Sequence, residues 1–131
     1  MLQQDYIMRL IREFFAALAR AVENPEIEDR TKAIHELYRQ YLGDYEFYQN
    51  ATVEEAIEAI SRYPEEQQLY RIEMLAELYY AESSVRATPI GETLLQRALP
   101  LFKYVDQHSK LYSFDRKRKM EEIQRRICHK D

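Results

Sequence analysis

Residues 90–105 read I-G-E-T-L-L-Q-R-A-L-P-L-F-K-Y-V, and this segment decides the fold. Its apolar residues recur three and four positions apart, which is the spacing that places side chains on one face of an α-helix. The stripe consists of Leu94, Ala98, Leu101, Phe102 and Val105, and Leu95 and Leu99 widen it. Because an apolar face this broad requires neighbours on two sides, the segment predicts a helix at the centre of a bundle or stack.

The rest of the chain supplies such neighbours. The same helical period predicts helices over Gln4–Val22, from Glu26 to Leu42, over a short segment after Thr52, over about Glu65–Glu82, and from Ser113 to about Ile127. Residues 44–51 are expected to be a connector whose aromatic residues fold back onto the core. The connections are short, so successive helices are expected to be antiparallel. The prediction is an all-α fold of about six helices, arranged as antiparallel hairpins in a repeat-like stack or bundle.

The prolines mark several expected helix ends. Asn24-Pro25 ends the first helix, because a residue before proline is pushed out of the α region. Pro64 and Pro89 suit a first helical turn, and Thr88 is a candidate N-cap. Pro100 lies inside the central helix, where it gives no N–H to the carbonyl four residues earlier and predicts a kink.

Capping residues mark other ends. Thr52 and Glu55 fit the capping box, in which each side chain bonds the other residue's backbone N–H. Gly43 is a natural residue to follow a helix, and Ser113 is a good N-cap for the last helix. That last helix is expected to turn four residues inward, namely Phe114, Met120, Ile123 and Ile127.

Length and composition indicate one domain over residues 1–131, with N-terminal helices in 1–63 and repeat-like helices in 64–128. A chain of 131 residues builds a hydrophobic core without metals or disulfides. Only 2 glycines are present, too few for the tight turns of an all-β chain. The single cysteine, Cys128, fits a reducing compartment. Since no signal peptide and no long apolar run is visible, we expect a cytoplasmic protein with no membrane role.

The charge is divided unevenly along the chain. Residues 1–109 carry 11 basic and 19 acidic side chains, whereas residues 110–131 carry 8 basic and 4 acidic ones. The favoured interpretation is that the basic end complements an acidic body or is simply a solvated helix face. The alternative is a nucleic-acid accessory protein whose last helix meets phosphates through Lys110, Arg116, Lys117, Arg118, Lys119, Arg125 and Arg126. The acidic body makes nucleic-acid binding the less favoured function.

Sequence motifs for catalysis and cofactor binding are missing. His35, His108 and His129 form no Glu-x-x-His pair and share no helix face, and two glycines cannot form a phosphate loop. Glu73 and Glu77 are spaced to share a metal or a proton, but no histidine accompanies them. We therefore predict no catalytic residue, no metal and no cofactor, and regard an enzyme with an unrecognised site as the least favoured class.

Tyrosine is the unusual feature of the composition, with 11 residues and no tryptophan. Tyrosine suits both half-buried positions and binding surfaces, because its ring is apolar and its hydroxyl is polar. The candidate surface for an unknown protein or peptide partner consists of Tyr41, Tyr45, Tyr48 and Tyr80. The aromatic first helix makes a homodimer plausible, with Phe14 and Phe15 as candidate self-association residues.

Two resemblances bear on the fold. Leu75-Ala76-x-x-Tyr79 resembles the first-helix signature of a tetratricopeptide repeat, and Ala98-x-x-x-Phe102 resembles its second-helix signature. The two half-motifs lie about ten residues further apart than the ~34-residue unit has them, and Ile72 takes the tryptophan position. The resemblance implies a degenerate repeat-like hairpin capped by the last helix.

The chain is also similar to a family of small bacterial all-helical proteins of unknown function. The similarity lies in Q-Q-D-Y-I-M-R-L-I, Y-L-G-D, T-V-E-E-A-I, A-E-L-Y-Y-A-E, A-L-P-L-F-K-Y-V-D and Y-S-F-D-R. It implies the fold class and a bacterial cytoplasmic origin, and it implies no activity. The function expected from the sequence is a non-enzymatic module for protein–protein interaction or self-association.

Overall fold

The computed structural model describes residues 2–26 and 29–128. Within these ranges the chain forms helices and no strand, so the all-α prediction is confirmed. The helices are α1 (Leu2–Glu23), α2 (Arg30–Tyr41), α3 (Tyr45–Asn50), α4 (Val53–Ile60), α5 (Glu65–Ser83), α6 (Ile90–His108) and α7 (Phe114–Cys128).

The segment with the broad apolar stripe, residues 90–105, lies in α6, at the centre of the structure. Its stripe residues Leu94, Ala98, Leu101, Phe102 and Val105 are all buried. It packs against α5, α7 and α4, which confirms the expected neighbours on two sides. Pro100 lies inside α6 and the helix continues past it to His108; the predicted kink stays a prediction.

Helix α5 shares the centre with α6. Twelve of its nineteen residues are buried, because α1, α2, α4 and α6 surround it. The sequence predicted a single apolar stripe here, and it did not reveal that Arg71, Glu77 and Glu82 would be buried as well. Buried charged groups require partners, so α5 determines where polar side chains of the other helices are placed.

Helix α1 packs on its own chain, against α2 and α5. The ring of Phe14 is fully buried and meets the ring of Tyr41 edge to face, with 5.1 Å between the ring centroids. This aromatic pair lies inside the common hydrophobic core. The first helix is therefore part of the domain and not a free arm.

The expected connector over residues 44–51 contains a helix, α3, so the described chain has seven helices where the sequence indicated about six. Asp44 caps this helix by accepting a hydrogen bond from the backbone N–H of Glu46 at 3.1 Å. Tyr48 is buried on its inner side. One short amphipathic turn and a half gives too few residues for a periodic signal, which explains why it was missed.

Several helix starts differ from the sequence prediction by a few residues. Helix α2 starts at Arg30 and not near Glu26, with Asp29 as its N-cap; residues 27–28 lie outside the described ranges. Pro64 and Pro89 occupy the N-cap positions of α5 and α6, so Thr88 does not cap α6. Asp29 caps α2 because its carboxylate accepts a hydrogen bond from the backbone N–H of Lys32, which satisfies a free donor of the first turn.

Two predicted caps are confirmed. The capping box of Thr52 and Glu55 is present with both of its hydrogen bonds. The hydroxyl of Ser113 accepts a hydrogen bond from the backbone N–H of Arg116 at 3.1 Å. These signals depend on residues three positions apart, so the local sequence contains all the information they need.

Gly91 sets the closest approach between α6 and the end of α5. A Cβ at this position would lie 2.8 Å from the carbonyl oxygen of Ser83 and 2.9 Å from that of Arg86. Since both neighbours are backbone atoms, they cannot rotate away. We predict that Gly91→Ala lowers the free energy of unfolding by about 1–3 kcal/mol, the usual cost of overpacking.

Urea denaturation of Gly91→Ala measures this cost. Thr93→Ala is the matched control, because Thr93 is exposed on the same helix and its loss is expected to change stability by about 0.5 kcal/mol or less. Equal midpoints for wild type and Gly91→Ala would contradict the proposed close approach.

Candidate functional site

The most heavily partnered polar group of the structure is the carboxylate of Glu82, which is 0% exposed. Each of its two oxygens receives hydrogen bonds from other side chains. The contacts are Tyr38 Oη (2.8 Å) and Gln49 Nε2 (3.0 Å) to Oε1, and Tyr45 Oη (2.8 Å), Arg86 Nη1 (3.1 Å) and His35 Nε2 (3.3 Å) to Oε2. We call these six residues the Glu82 cluster.

The Glu82 cluster joins three helices and the segment that follows α5. Its donors come from α2, from α3 and from Arg86, one turn after Glu82. Burial, followed by the negative charge of Glu82, raises the pKa of Tyr38 well above its ordinary value. Burial and the hydrogen bond to Glu82 likewise raise the pKa of Tyr45. A buried carboxylate that accepts this many hydrogen bonds holds the helices of its donors together.

A second set of polar contacts holds α7 against the α5–α6 pair. Arg116 is buried, and it donates to Asp106 at 3.1 Å, to Glu73 at 3.1 Å and to the carbonyl oxygen of Leu111 at 2.9 Å. One turn further on, Lys119 Nζ lies 2.6 Å from Glu77. Burial raises the pKa of the Glu77 carboxyl, and the nearby ammonium of Lys119 opposes that rise.

The two glutamates considered as metal ligands are thus engaged by cations of α7. Glu73 pairs with Arg116 and Glu77 with Lys119. Among the described residues, no group of three or more His, Cys, Asp or Glu side chains is arranged to hold a metal ion. His129 lies outside the described ranges.

Most of the basic charge in the last helix is also paired. Ion pairs with acids of the same chain involve Arg116, Lys117, Arg118, Lys119 and Arg126. Their partners include Asp106 and Glu77, which lie in α6 and α5. The basic end of the chain therefore complements its acidic body, as the favoured interpretation of the charge pattern had it.

The residues of the predicted partner surface are distributed between core and surface. Tyr41 and Tyr48 are buried, Tyr45 is half-buried in the Glu82 cluster, and Tyr80 is half-buried with its hydroxyl donating to Glu122 at 2.5 Å. Two of the four side chains are therefore in the core and two are at its edge.

The two candidate self-association residues also differ in their surroundings. Phe14 is 0% exposed in the core, whereas Phe15 is 36% exposed. The ring of Phe14 packs in the core of its own chain. Of the two residues, only Phe15 therefore reaches the surface.

Phe15 and Tyr80 line a common groove, although they are 65 positions apart in sequence. This α1–α7 groove has a volume of about 310 Å³. Its lining includes apolar residues of α1, namely Phe15, Leu18 and Val22, and also Tyr80 and five charged residues: Glu23, Glu77, Lys119, Glu122 and Arg126.

A larger groove lies between α3 and α4. Its volume is about 440 Å³, within the range of cavities that bind small ligands or single side chains. This α3–α4 groove is lined by Leu42, Asp44, Phe47, Tyr48, Ala59, Arg62 and Tyr63. Its position is fixed in part by the hydroxyl of Tyr63, which donates to the carbonyl oxygen of Leu42 at 3.1 Å.

Among the residues whose burial the structure describes, the most exposed large apolar ones lie in the link between α6 and α7 and at the first position of α7. Leu111 is 67% exposed, Tyr112 65% and Phe114 81%. The rings of Tyr112 and Phe114 meet edge to face, with centroids 4.9 Å apart. We call Leu111, Tyr112 and Phe114 the aromatic loop.

The prediction that Phe114 faces inward is wrong. Phe114 is the first residue of α7, and the inward position of that turn is taken by Arg116, which binds Glu73 and Asp106. Met120, Ile123 and Ile127 do face the core as expected. The sequence does contain a signal for this exposure. Leu111, Tyr112 and Phe114 fall at the predicted break between two helices, where no helical period assigns an apolar residue to the core.

No family model, no curated protein and no solved structure matches this chain. The resemblances to tetratricopeptide repeats and to a bacterial family of unknown function therefore stay predictions. Among the described helices, none has the length and apolar character needed to cross a membrane.

The Glu82 cluster yields a stability prediction. Glu82→Gln replaces an acceptor oxygen by an amide donor that faces other donors, and it leaves Arg86 without its buried counter-charge. Because breaking a buried charge pair is costly, we expect the free energy of unfolding to fall by about 3 kcal/mol or more. Glu36→Gln, which breaks an exposed pair with Arg39, is the matched control and should cost at most about 1 kcal/mol. Similar urea midpoints for both variants would contradict a structural role for the cluster.

Alkaline pH should destabilise the fold. Burial raises the pKa of Tyr48, Tyr79 and Tyr80 to about 12, above the ordinary value of 10.0. A raised pKa in the folded state gives stability that is complete below pH 10 and is lost as the pH rises toward 12, because the unfolded chain deprotonates first. Urea midpoints should therefore fall across this interval.

Tyr79→Phe tests the assignment. It removes one titrating hydroxyl, so the loss of stability with pH should become shallower by up to about 1.4 kcal/mol per pH unit. An unchanged slope would mean that Tyr79 titrates equally in the folded and unfolded chains.

Proposed function

We propose that this chain is a non-enzymatic helical module that binds a protein surface through its aromatic loop. The observation that carries the proposal is the exposure of Leu111, Tyr112 and Phe114, three large apolar residues within four positions. Soluble proteins rarely leave such groups together in water unless another surface covers them. Tyrosine and other aromatic residues are also the side chains that contribute most to protein interfaces.

The aromatic loop is held in place by the fold, which favours binding. Arg116 donates to the carbonyl oxygen of Leu111, and the backbone N–H of Leu111 donates to the hydroxyl of Ser109 at 3.0 Å. Ser113 caps α7 directly before Phe114. A segment that is already ordered loses less conformational entropy when it binds, so more of the contact energy appears as affinity.

The nucleic-acid alternative draws some support from the same region, because exposed aromatic rings can stack on bases. Phosphate binding also requires available cations, and five of the seven basic residues considered for it are paired with acids of the chain. This pairing favours a protein partner over a nucleic acid.

The proposal is tested by capture from cell lysate with the purified chain as bait. We expect proteins that the wild type retains after nuclease treatment and in high salt to be lost with Phe114→Ser. Ile90→Ser is the matched control, because Ile90 is also an exposed large apolar residue but lies at the start of α6. Circular dichroism verifies that both variants are folded.

Capture that disappears on nuclease treatment would contradict the proposal and favour the nucleic-acid function. Equal losses with Phe114→Ser and Ile90→Ser would show that the aromatic loop has no special part in binding.

A further inference from the structure

One wall of the α3–α4 groove lies toward the end of the α5–α6 hairpin from which the aromatic loop projects. Gly91, at the start of α6, touches the backbone of Ser83 and Arg86 at the end of α5, so the two helices run antiparallel. The opposite end of the hairpin is then formed by the start of α5 and the end of α6. Tyr63 of the groove lies just before α5, and the aromatic loop follows α6. The α3 wall of the groove extends toward the opposite end, because Tyr45 and Gln49 of that helix reach Glu82 in the last turn of α5.

The two features carry opposite charge. Residues 44–66, which form the groove and its surroundings, contain seven acids and one base, Arg62. All seven acids are exposed: Asp44, Glu46, Glu54, Glu55, Glu58, Glu65 and Glu66. Around the aromatic loop, Arg116, Lys117, Arg118 and Lys119 are paired with acids of the chain, and the exposed Lys103 and Lys110 supply the positive charge. Opposite potentials of this kind orient two surfaces toward each other and speed their encounter.

We infer that the partner is a second copy of this chain, in a dimer where the aromatic loop of each copy enters the α3–α4 groove of the other. This inference rests on the proposed function and adds the identity of the partner. A twofold axis that places each loop in the groove of the other copy forms both contacts at once. In each contact the rings of Tyr112 and Phe114 meet those of Phe47 and Tyr63, and aromatic rings favour edge-to-face pairing.

The α1–α7 groove fits the aromatic loop less well. Its volume is about 310 Å³ against about 440 Å³ for the α3–α4 groove, and its charges are largely paired with one another, Lys119 with Glu77 and Arg126 with Glu122. Paired charges leave little net potential to attract the lysines beside the loop. The α3–α4 groove has one cation among its lining residues and a surrounding of acids, so it is the complementary surface.

Light scattering and sedimentation equilibrium of the full chain test the dimer. Phe114→Ser removes the projecting ring, and Ala59→Lys places a cation in the groove. We expect the wild type to dimerise and each variant to associate at least about tenfold more weakly, the effect of losing one central contact. Ile90→Ser and Ala16→Lys are matched controls, with the same chemical change at exposed positions outside both features.

Mixing the two variants separates this arrangement from other dimers. An equimolar mixture of Phe114→Ser and Ala59→Lys should form a heterodimer, because the intact loop of one copy meets the intact groove of the other. The wild-type dimer should also weaken as salt rises to about 1 M, where charges interact over only about 3 Å. Circular dichroism of each variant shows whether it remains folded.

The inference is overturned if the wild type is monomeric, if the mixture does not associate, or if Ala59→Lys dimerises like Ala16→Lys. A monomer that still captures another protein through Phe114 would contradict the dimer and leave the proposed function standing. A monomer that binds anionic phospholipid vesicles through Phe114, and no protein, would contradict both the dimer and the proposed function.

Discussion

A carboxylate that has no contact with water must be surrounded by donors, and Glu82 imposes this requirement on the whole N-terminal half. Its donors come from α2 and α3, so both helices have to be placed with their polar side chains directed at α5. Arg86 adds a positive charge from the segment leading to α6. Leaving any of these donors or the carboxylate unpaired would cost more than one ordinary hydrogen bond contributes, so the network specifies one arrangement of the helices.

The same physical requirement explains why the aromatic loop is exposed. Glu73 and Asp106 lie in α5 and α6 close to the start of α7, and they need a cation. Arg116 supplies it and therefore takes the inward position of the first turn. Phe114, two residues earlier, is left pointing to solvent. The surface proposed for binding is thus a consequence of how the polar core is satisfied, which separates the residues that stabilise the fold from those that contact a partner.

Local features of this fold could be predicted from the sequence, and features that join distant residues could not. The apolar stripe of α6 and the capping box of Thr52 depend on residues three to seven positions apart, and both were identified correctly. The Glu82 cluster joins residues that are up to 47 positions apart, as His35 and Glu82 are, and no periodicity connects them. The burial of the tyrosines in the predicted partner surface could not be predicted for the same reason. Which tyrosines are buried depends on how α2 and α3 pack against α5, and that placed Tyr41 and Tyr48 inside.

Photo-crosslinking from position 114 is the most direct test of the central claim, that the exposed aromatic loop is the contact surface. A photoreactive aromatic amino acid replaces Phe114, and isotope-labelled and unlabelled copies are mixed so that crosslinks between chains can be told from those within one chain. The account predicts a crosslink between chains that maps to residues 44–63 of the second copy. A crosslink confined to its own chain, or none at concentrations where the wild type is dimeric, would contradict it.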